Sequence, residues 1–535
     1  MAFSLSPAVT VTETDLTTTV PTVASSIAGV VGAFSWGPVN QRQLITSPDN
    51  LVSTFGLPND TNFNDWFQAY NFLAYSNNLY TSRTVAADAV NSSDVQALTT
   101  IVENFEDFET KLTTLNATTN TMLARYPGVF GDTISVSYAS GDDFATWTHR
   151  NLFDFAPSTA AQEIALVVMI DGDVKEQYLL SAVAGTKDYQ GNTMYVLDAV
   201  NRRSQYIFIL EDFLTVDVGG VSTLTTDTIA FTNGDDGAIP TAGNYQLAID
   251  DFSDDASFDL NFTIQTSDST VGKYWLDNVT STRRDCIGIV TTTQANVVGI
   301  LPATAAANTV TERGNFGSSS YGFMVDNYKY QYDKYNDKWR WVAFCGDVAG
   351  LMAQATDRGE PWTSPAGYTN GQIKNVERLA YNPTKELRDL LYKNQINPIV
   401  NDSGAGSAVL LGDKTLLSEP SAFGFYNVRR LFIVVEKAIA TASKYQLFDF
   451  NDEFSRTTFR NMVNPYLRNI QAKRGMFDFR VLCNDTNNPP EIVDQGQFVA
   501  DIFIKPNRTI QGMNLNFIAT KTGVDFDEII NQSNV

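Results

Sequence analysis

The chain has 535 residues, of which 43% are hydrophobic and 12% aromatic, and its formal net charge is -23. That length is too great for a single hydrophobic core and that composition too apolar for disorder, so about three or four folded domains are expected. The acidic balance argues against nucleic acid as the main partner, because phosphate recognition needs concentrated Lys and Arg. The acid is also unevenly spread: residues 86–276 carry roughly twenty net negative charges, while the chain from Ser421 onward is close to neutral. Three well-separated cysteines, Cys286, Cys345 and Cys483, fit reduced, buried thiols better than a disulfide framework.

In chain order, Val9 and Val11 alternate with Thr10 and Thr12, the period-two pattern of a strand. The following DLTTTVPTVASS offers no tight turn and no second strand, so this strand needs a partner from elsewhere. No basic residue precedes Arg42, so the n-region of a signal peptide is missing. IAGVVGAF reads as a buried strand, and residues 64–75 place Trp66, Phe67, Tyr70 and Leu73 at helical spacing. A composition change puts a boundary near residue 87. The block 88–270 has strand patterns at 133–138, 164–170 and 205–210, divided by GDD, DGD and NGDDG turn signals, and reads as an acidic, β-rich insertion.

Beyond it, the uncharged run from Cys286 to Thr311 contains Gln, Asn and Pro and reads as strand, loop and helix rather than a membrane span. DNYKYQYDKYNDKWRWVAF, starting at Asp326, reads as a packed hairpin. Tyr328, Tyr330 and Tyr332 share one face, Asn327, Lys329, Gln331 and Asp333 the other, and the turn lies before Trp339 and Trp341. Residues 372–394 have a helical pattern that Asn382-Pro383 should break or kink. Asn427 is an expected N-cap for a helix presenting Val428, Leu431, Phe432, Val435 and Ile439 on one face. Strands follow at 476–483, 498–505 and 513–520, and in the last Leu515, Phe517 and Ala519 alternate with Asn514, Asn516 and Ile518. Strand patterns thus stand at both termini.

Catalytic chemistry has little to work with. His149 is the single histidine and no nucleophile motif accompanies it; the G-x-S-x-G elbow and the Walker sequence are absent. Gly404-Ala405-Gly406 begins like a dinucleotide fingerprint, but Val409 occupies the third glycine's place. Asp171 with Asp173, Asp235 with Asp236, and the group Asp250, Asp251, Asp254 and Asp255 could serve glycoside hydrolysis or calcium, yet none has a specific spacing, and solvated turns account for them. No catalytic, cofactor-binding or metal-binding residue is assigned, no cofactor is expected, and the chain is read as a non-enzyme.

NYKYQYDKYND, GDVAGLMA and PWTSPAGYTNGQI together resemble the tail sheath proteins of T4-like contractile-tailed bacteriophages. FSWGPVN, STFGLP, YPGVFGDTISV, INPIV, NVRRLF, CNDTNNPP and LNFIATKTGVDFDE extend the resemblance in order over roughly two thirds of the chain. It weakens at residues 139–270, and the segment between Arg83 and Arg125 looks shortened.

The resemblance implies an α+β multidomain subunit with a mixed α/β sheath core, an inserted β-rich domain, and a C-terminal α/β domain completed by strands from neighbouring subunits. The expected division is an N-terminal linking arm at 1–22, a discontinuous core at 23–87 and 271–420, an outward-facing insertion at 88–270, an inner domain at 421–510, and a C-terminal linking arm at 511–535. Linkage would be carried by Val9, Thr10, Val11, Thr12 and Glu13 and by Leu515, Asn516, Phe517, Ile518 and Ala519. The implied role is a homo-oligomer of hexameric rings stacked helically around a tail tube protein, meeting baseplate and tail terminator proteins. It would contract to drive the tube through the host envelope for genome delivery, without contacting nucleic acid or inserting in a membrane. Assembly would occur in the host cytoplasm and the product would be part of the virion tail. The alternatives are a tail-associated, carboxylate-dependent glycosidase and a non-contractile surface-layer or adhesive protein.

Overall fold

The computed structural model describes residues 24–158, 162–214, 227–402 and 407–511. The proposed linkage residues 9–13 and 515–519, and the loop Gly404-Ala405-Gly406, lie outside these. From the N-terminal side come β1 (Ala28–Gly32), β2 (Gln43–Ile45), α1 (Pro48–Phe55), α2 (Phe63–Leu73) and β3 (Leu79–Arg83). The insertion supplies β4 (Ile134–Ser140), β5 (Glu163–Ile170), β6 (Asp173–Ser181) and β7 (Asp227–Ala230). Then follow α3 (Ala242–Asp250), β8 (Phe262–Ile264), β9 (Ile287–Thr291), α4 (Pro302–Arg313), β10 (Gly322–Val325), β11 (Tyr328–Asp333), β12 (Lys338–Ala343) and α5 (Cys345–Arg358). The chain continues through α6 (Lys385–Lys393), β13 (Ile396–Asn397), α7 (Tyr426–Ser443), α8 (Glu453–Ala472), β14 (Met476–Leu482) and β15 (Asp501–Pro506).

The core is a seven-stranded sheet in the order β13-β10-β9-β8-β1-β3-β2, parallel except for β2. Every residue of β1 and of β9 is buried, as expected of parallel strands covered on both faces, which read as continuous apolar runs. Helix α2 buries Trp66, Phe67 and Phe72 against this sheet and against α5. The two helices meet backbone to backbone: a Cβ on Gly346 would stand 2.2 Å from the Gln68 carbonyl oxygen. The Gln68 side chain stitches the crossing, donating to Ala343 O at 3.1 Å and accepting from Gly346 N at 2.7 Å.

The segment expected as an insertion carries strands that pair among themselves. Strands β6-β5-β4-β7 form an antiparallel sheet, and residues 122–124 pair with 207–209 in a second ladder. Its end differs from expectation. Helix α3 and strand β8 fall within 88–270, yet α3 packs Tyr245, Ala248 and Ile249 beside Val31, and β8 lies between β1 and β9. The chain therefore rejoins the core near residue 242, because the short apolar strand 262–264 is needed to bridge β1 to β9. Its flanking polar residues hid it among the insertion's turns.

Two further expectations change. Only Lys385–Lys393 of the 372–394 pattern is helical; upstream, Arg378 and Leu379 pair with Tyr330 and Lys329 of β11. Ile373, Val376 and Leu379 have helical spacing, but sheet pairing overrides it. Helix α7 begins at Tyr426 with Phe425 as its extended N-cap, placing Asn427 inside the first turn. Tyr426 N donates to Asp413 O at 2.7 Å, so a neighbouring carbonyl does the capping and Asn427 is released to donate to Asn507 O at 2.9 Å.

The hairpin β11–β12 has the expected register, Tyr330 opposite Trp341 and Tyr332 opposite Trp339, with ring centroids 4.7 and 5.3 Å apart. Its packed face, however, is the polar one. Lys329, Gln331, Asp333 and Arg340 are buried, while Tyr332 and Trp339 remain nearly half exposed. Charges tolerate this because each is matched: Lys329 meets Asp347 at 2.8 Å, and Arg340 meets Asp333 at 2.8 Å and Asp60 at 2.7 Å. All three cysteines are free and buried, as expected. Among the described residues no helix is long and apolar enough to cross a membrane.

Candidate assembly surface

The C-terminal unit packs α7 and α8 through Leu431, Val435, Phe459, Val463 and Leu467, with Met476 of β14 joining this core. Asp452 starts α8 by accepting from Ser455 N at 2.9 Å, a carboxylate at a helix N-terminus. One side of these helices is covered by β14 and β15, antiparallel with Phe479 opposite Ile504 and Val481 opposite Ile502. Among the described residues this sheet has only two strands, so neither outer edge is paired with a further described strand.

Beside β15 runs a groove of about 630 Å3. Its floor is Val435, Ile439 and Ala440 of α7, one wall is Leu447, Phe448 and Phe450, and the other is Ala500, Ile502 and Ile504. No residue of β14 lines it, so the groove lies on the side of β15 away from β14, where no described strand pairs. An added strand there would complete main-chain pairing and send alternate side chains into the groove, the geometry of strand addition. Of its lining residues Leu447, Phe448 and Phe450 are largely exposed, and Tyr445, Phe454, Phe477 and Phe503 are exposed elsewhere on the same unit. Burying such area is favourable by about 25 cal/mol per Å2, which gives the surface a drive towards a partner.

The other candidates have internal duties. His149 precedes a short 3-10 turn and packs edge-on to Trp147, with centroids 5.4 Å apart. Asp171 and Gly172, both with positive φ, form the two-residue turn between β5 and β6, and Asp173 starts β6. Asp235 accepts from Gly237 N at 2.9 Å and Asp236 from Val129 N at 3.0 Å. Asp250 accepts from the Tyr274 hydroxyl at 2.7 Å, Asp251 pairs with Arg42 at 3.2 Å, and Asp254 accepts from Ala256 N at 2.9 Å; Asp255 is exposed. Among the described residues no group of three His, Cys, Asp or Glu could hold a metal ion.

A second cavity, about 400 Å3, lies at the carboxyl ends of β1, β3 and β8, where ligands often bind in such sheets. Its buried charges are already engaged. Arg83, whose pKa burial lowers to about 10, donates to the carbonyls of Phe34, Ser35, Gly37 and Pro127. Asp65, raised by burial to about 6, accepts from Ala33 N at 3.0 Å and from the Tyr245 hydroxyl. These groups staple the loops that follow the strands.

A model of the phage tail sheath protein central domain matches residues 261–416, and one of the phage tail sheath C-terminal domain matches 418–520. Over 98% of its length the chain is 31% identical to the tail sheath protein of Vibrio phage KVP40, with 99% of that protein covered. The chain belongs to the phage tail sheath protein family. Identity to the tail sheath protein of Enterobacteria phage T4 is also 31%, over 98% of this chain and 99% of that one. A sheath tail protein of Listeria innocua shares the fold at a TM-score of 0.57 and 12% identity, covering 91% of this chain and 96% of the other. So does the anti-feeding prophage helical sheath in its contracted state, at a TM-score of 0.52 and 10% identity, covering 97% and 100%.

This tail sheath protein is thus a mixed α/β chain with several sheets. The ten terminal residues expected to link sheath subunits lie outside the described residues, and the groove was missed. Its signal was available in YQLFDFNDEF, starting at Tyr445, where bulky apolar residues follow a helix without helical spacing.

Proposed function

We propose that this sheath subunit polymerises as hexameric rings stacked helically around a tail tube, and that the array contracts to drive the tube through the host envelope for genome delivery. The observation that carries this reading is the edge of β15 that no described strand pairs, beside an apolar groove. A strand from a neighbouring subunit would fill it, supplied by the linking arms at 1–22 and 511–535 through the residues 9–13 and 515–519. Such a contact is heterologous, and when it does not close it builds a helical array. Main-chain bonds suit contraction, because they can persist while the rigid bodies they connect rotate.

The same reading assigns the rest of the chain. The insertion, taken as 88–241 because α3 and β8 rejoin the core, faces water with its excess acid. The near-neutral inner part from residue 421 packs near the tube and its neighbours, where dense like charge would oppose assembly. Baseplate and tail terminator proteins would hold the two ends of the array. The subunits would assemble in the host cytoplasm and end in the virion tail.

Removing residues 1–20 is expected to leave a folded monomer, by circular dichroism, that no longer forms polymers in sedimentation velocity or negative-stain microscopy. Normal tubular sheaths from the truncated protein would refute the arm assignment.

A further inference from the structure

The described residues that border the two expected arms are held by one end of α7. At the N-terminal exit the Ser25 carbonyl accepts from Arg430 Nη2 at 2.5 Å, and Ile27 N donates to Asn261 Oδ1 at 3.0 Å. At the C-terminal exit the Asn507 carbonyl accepts from Asn427 Nδ2 at 2.9 Å. Asn427 and Arg430 are three residues apart, on one face of the first turn of α7. The cap of that turn joins in. The carbonyl of Asp413 receives Tyr426 N, and its carboxylate accepts from the Thr509 hydroxyl at 2.8 Å and from Gln511 Nε2 at 2.9 Å.

Arg430 is the unusual member. Its side chain is fully buried, with the guanidinium 4.7 Å over the Phe262 ring of β8, and its Nε and Nη1 have no acceptor among the described residues. A buried donor left unpaired costs about 1–3 kcal/mol, so ordinary packing would favour an apolar residue here. A planar fork of donors held by an aromatic ring is suited to gripping a passing main chain, and Ser25 is where the described chain begins its path into β1.

We infer that the first turn of α7 is a junction that ties the two linking arms to each other, so that a pull on one arm loads the other through Arg430 and Asn427. Each subunit is then a short link between its own two arms, and the core and insertion ride on that link. The inference rests on the arm assignment for its role in the sheath, while the coupling itself belongs to the single subunit.

Hydrogen exchange on the full-length monomer tests the coupling. Arg430→Met should raise exchange at residues 25–28 and also at 505–511, by roughly fivefold, as loss of one ordinary hydrogen bond gives. Asn427→Ala, a milder change, should reproduce the pair of effects in the reverse order, and Arg430→Lys, which keeps one donor, should show less. Exchange in β9 and β10 should not move. If each variant loosens only its own exit, or if protection falls evenly through α7 and α8, the junction is refuted and these residues merely stabilise the unit. Polymerisation of the protein lacking residues 1–20 would instead sink the arm assignment and leave the exchange result standing.

Discussion

Strands β1 and β15 are both short and rich in apolar residues, but among the described residues one is paired along both edges and the other along one. All five residues of β1 are buried, and both of its edges are paired, with β3 and β8. No residue of β15 is buried: exposed and half-covered positions alternate along it, and one edge is paired. The same physical force acts on both strands. In the core it is satisfied by burial, and along β15 apolar side chains stay partly exposed.

The contrast can be broken first at the core. Trp66 is fully buried and its indole nitrogen donates to Gly56 O at 3.0 Å, so Trp66→Ala should cost about 3–5 kcal/mol and be read as a large fall in the urea midpoint. In β15, by contrast, Ile504→Asp at a half-buried groove wall should cost the monomer only about 1 kcal/mol while polymer formation is lost at the same protein concentration. Equal destabilisation by the two changes would erase the distinction between them.

A finer test uses Asp326, buried at the end of the sheet, where it accepts from Ile399 N at 2.7 Å and from the Tyr381 hydroxyl at 2.8 Å. Burial raises this acid from 3.8 to about 7, against the lowering effect of its two donors. The neutral acid is therefore the better guest of the fold. Its contribution to stability is complete below about pH 4 and is lost as the pH climbs through 7. Asp326→Asn should flatten the urea midpoint over that window, and an unchanged slope would mean that the carboxyl is not the group titrating.

Much of the core was legible because its signals are local. IAGVVGAF and CIGIVTTT have no polar face, which only a strand covered on both sides can use, and Trp66, Phe67 and Tyr70 keep helical spacing. What escaped depended on distant partners. Strand 262–264 is three residues long and is recognisable only beside β1 and β9. Asn427 lost its capping role to a carbonyl at Asp413, and residues 378–379 became a strand because β11 was there to pair with. The assembly groove draws on α7, the loop after it and β15, so no one stretch of sequence contains it. Its exposed Phe448 and Phe450 were visible, but the hollow they border was not.

The inward polar face of β11–β12 has a consequence for how the hairpin finds its alignment. In an apolar hairpin a slip by one residue costs packing volume, and a plastic core can recover part of that loss. Here such a slip would turn Tyr330 and Tyr332 towards Asp347 and Arg340 and carry Lys329 and Asp333 out to the solvent face, stranding Asp347 without its cation and Arg340 without Asp333. Misaligned hairpins are thereby rejected by charge as well as by shape, and every folded copy of the chain presents the same outer surface there.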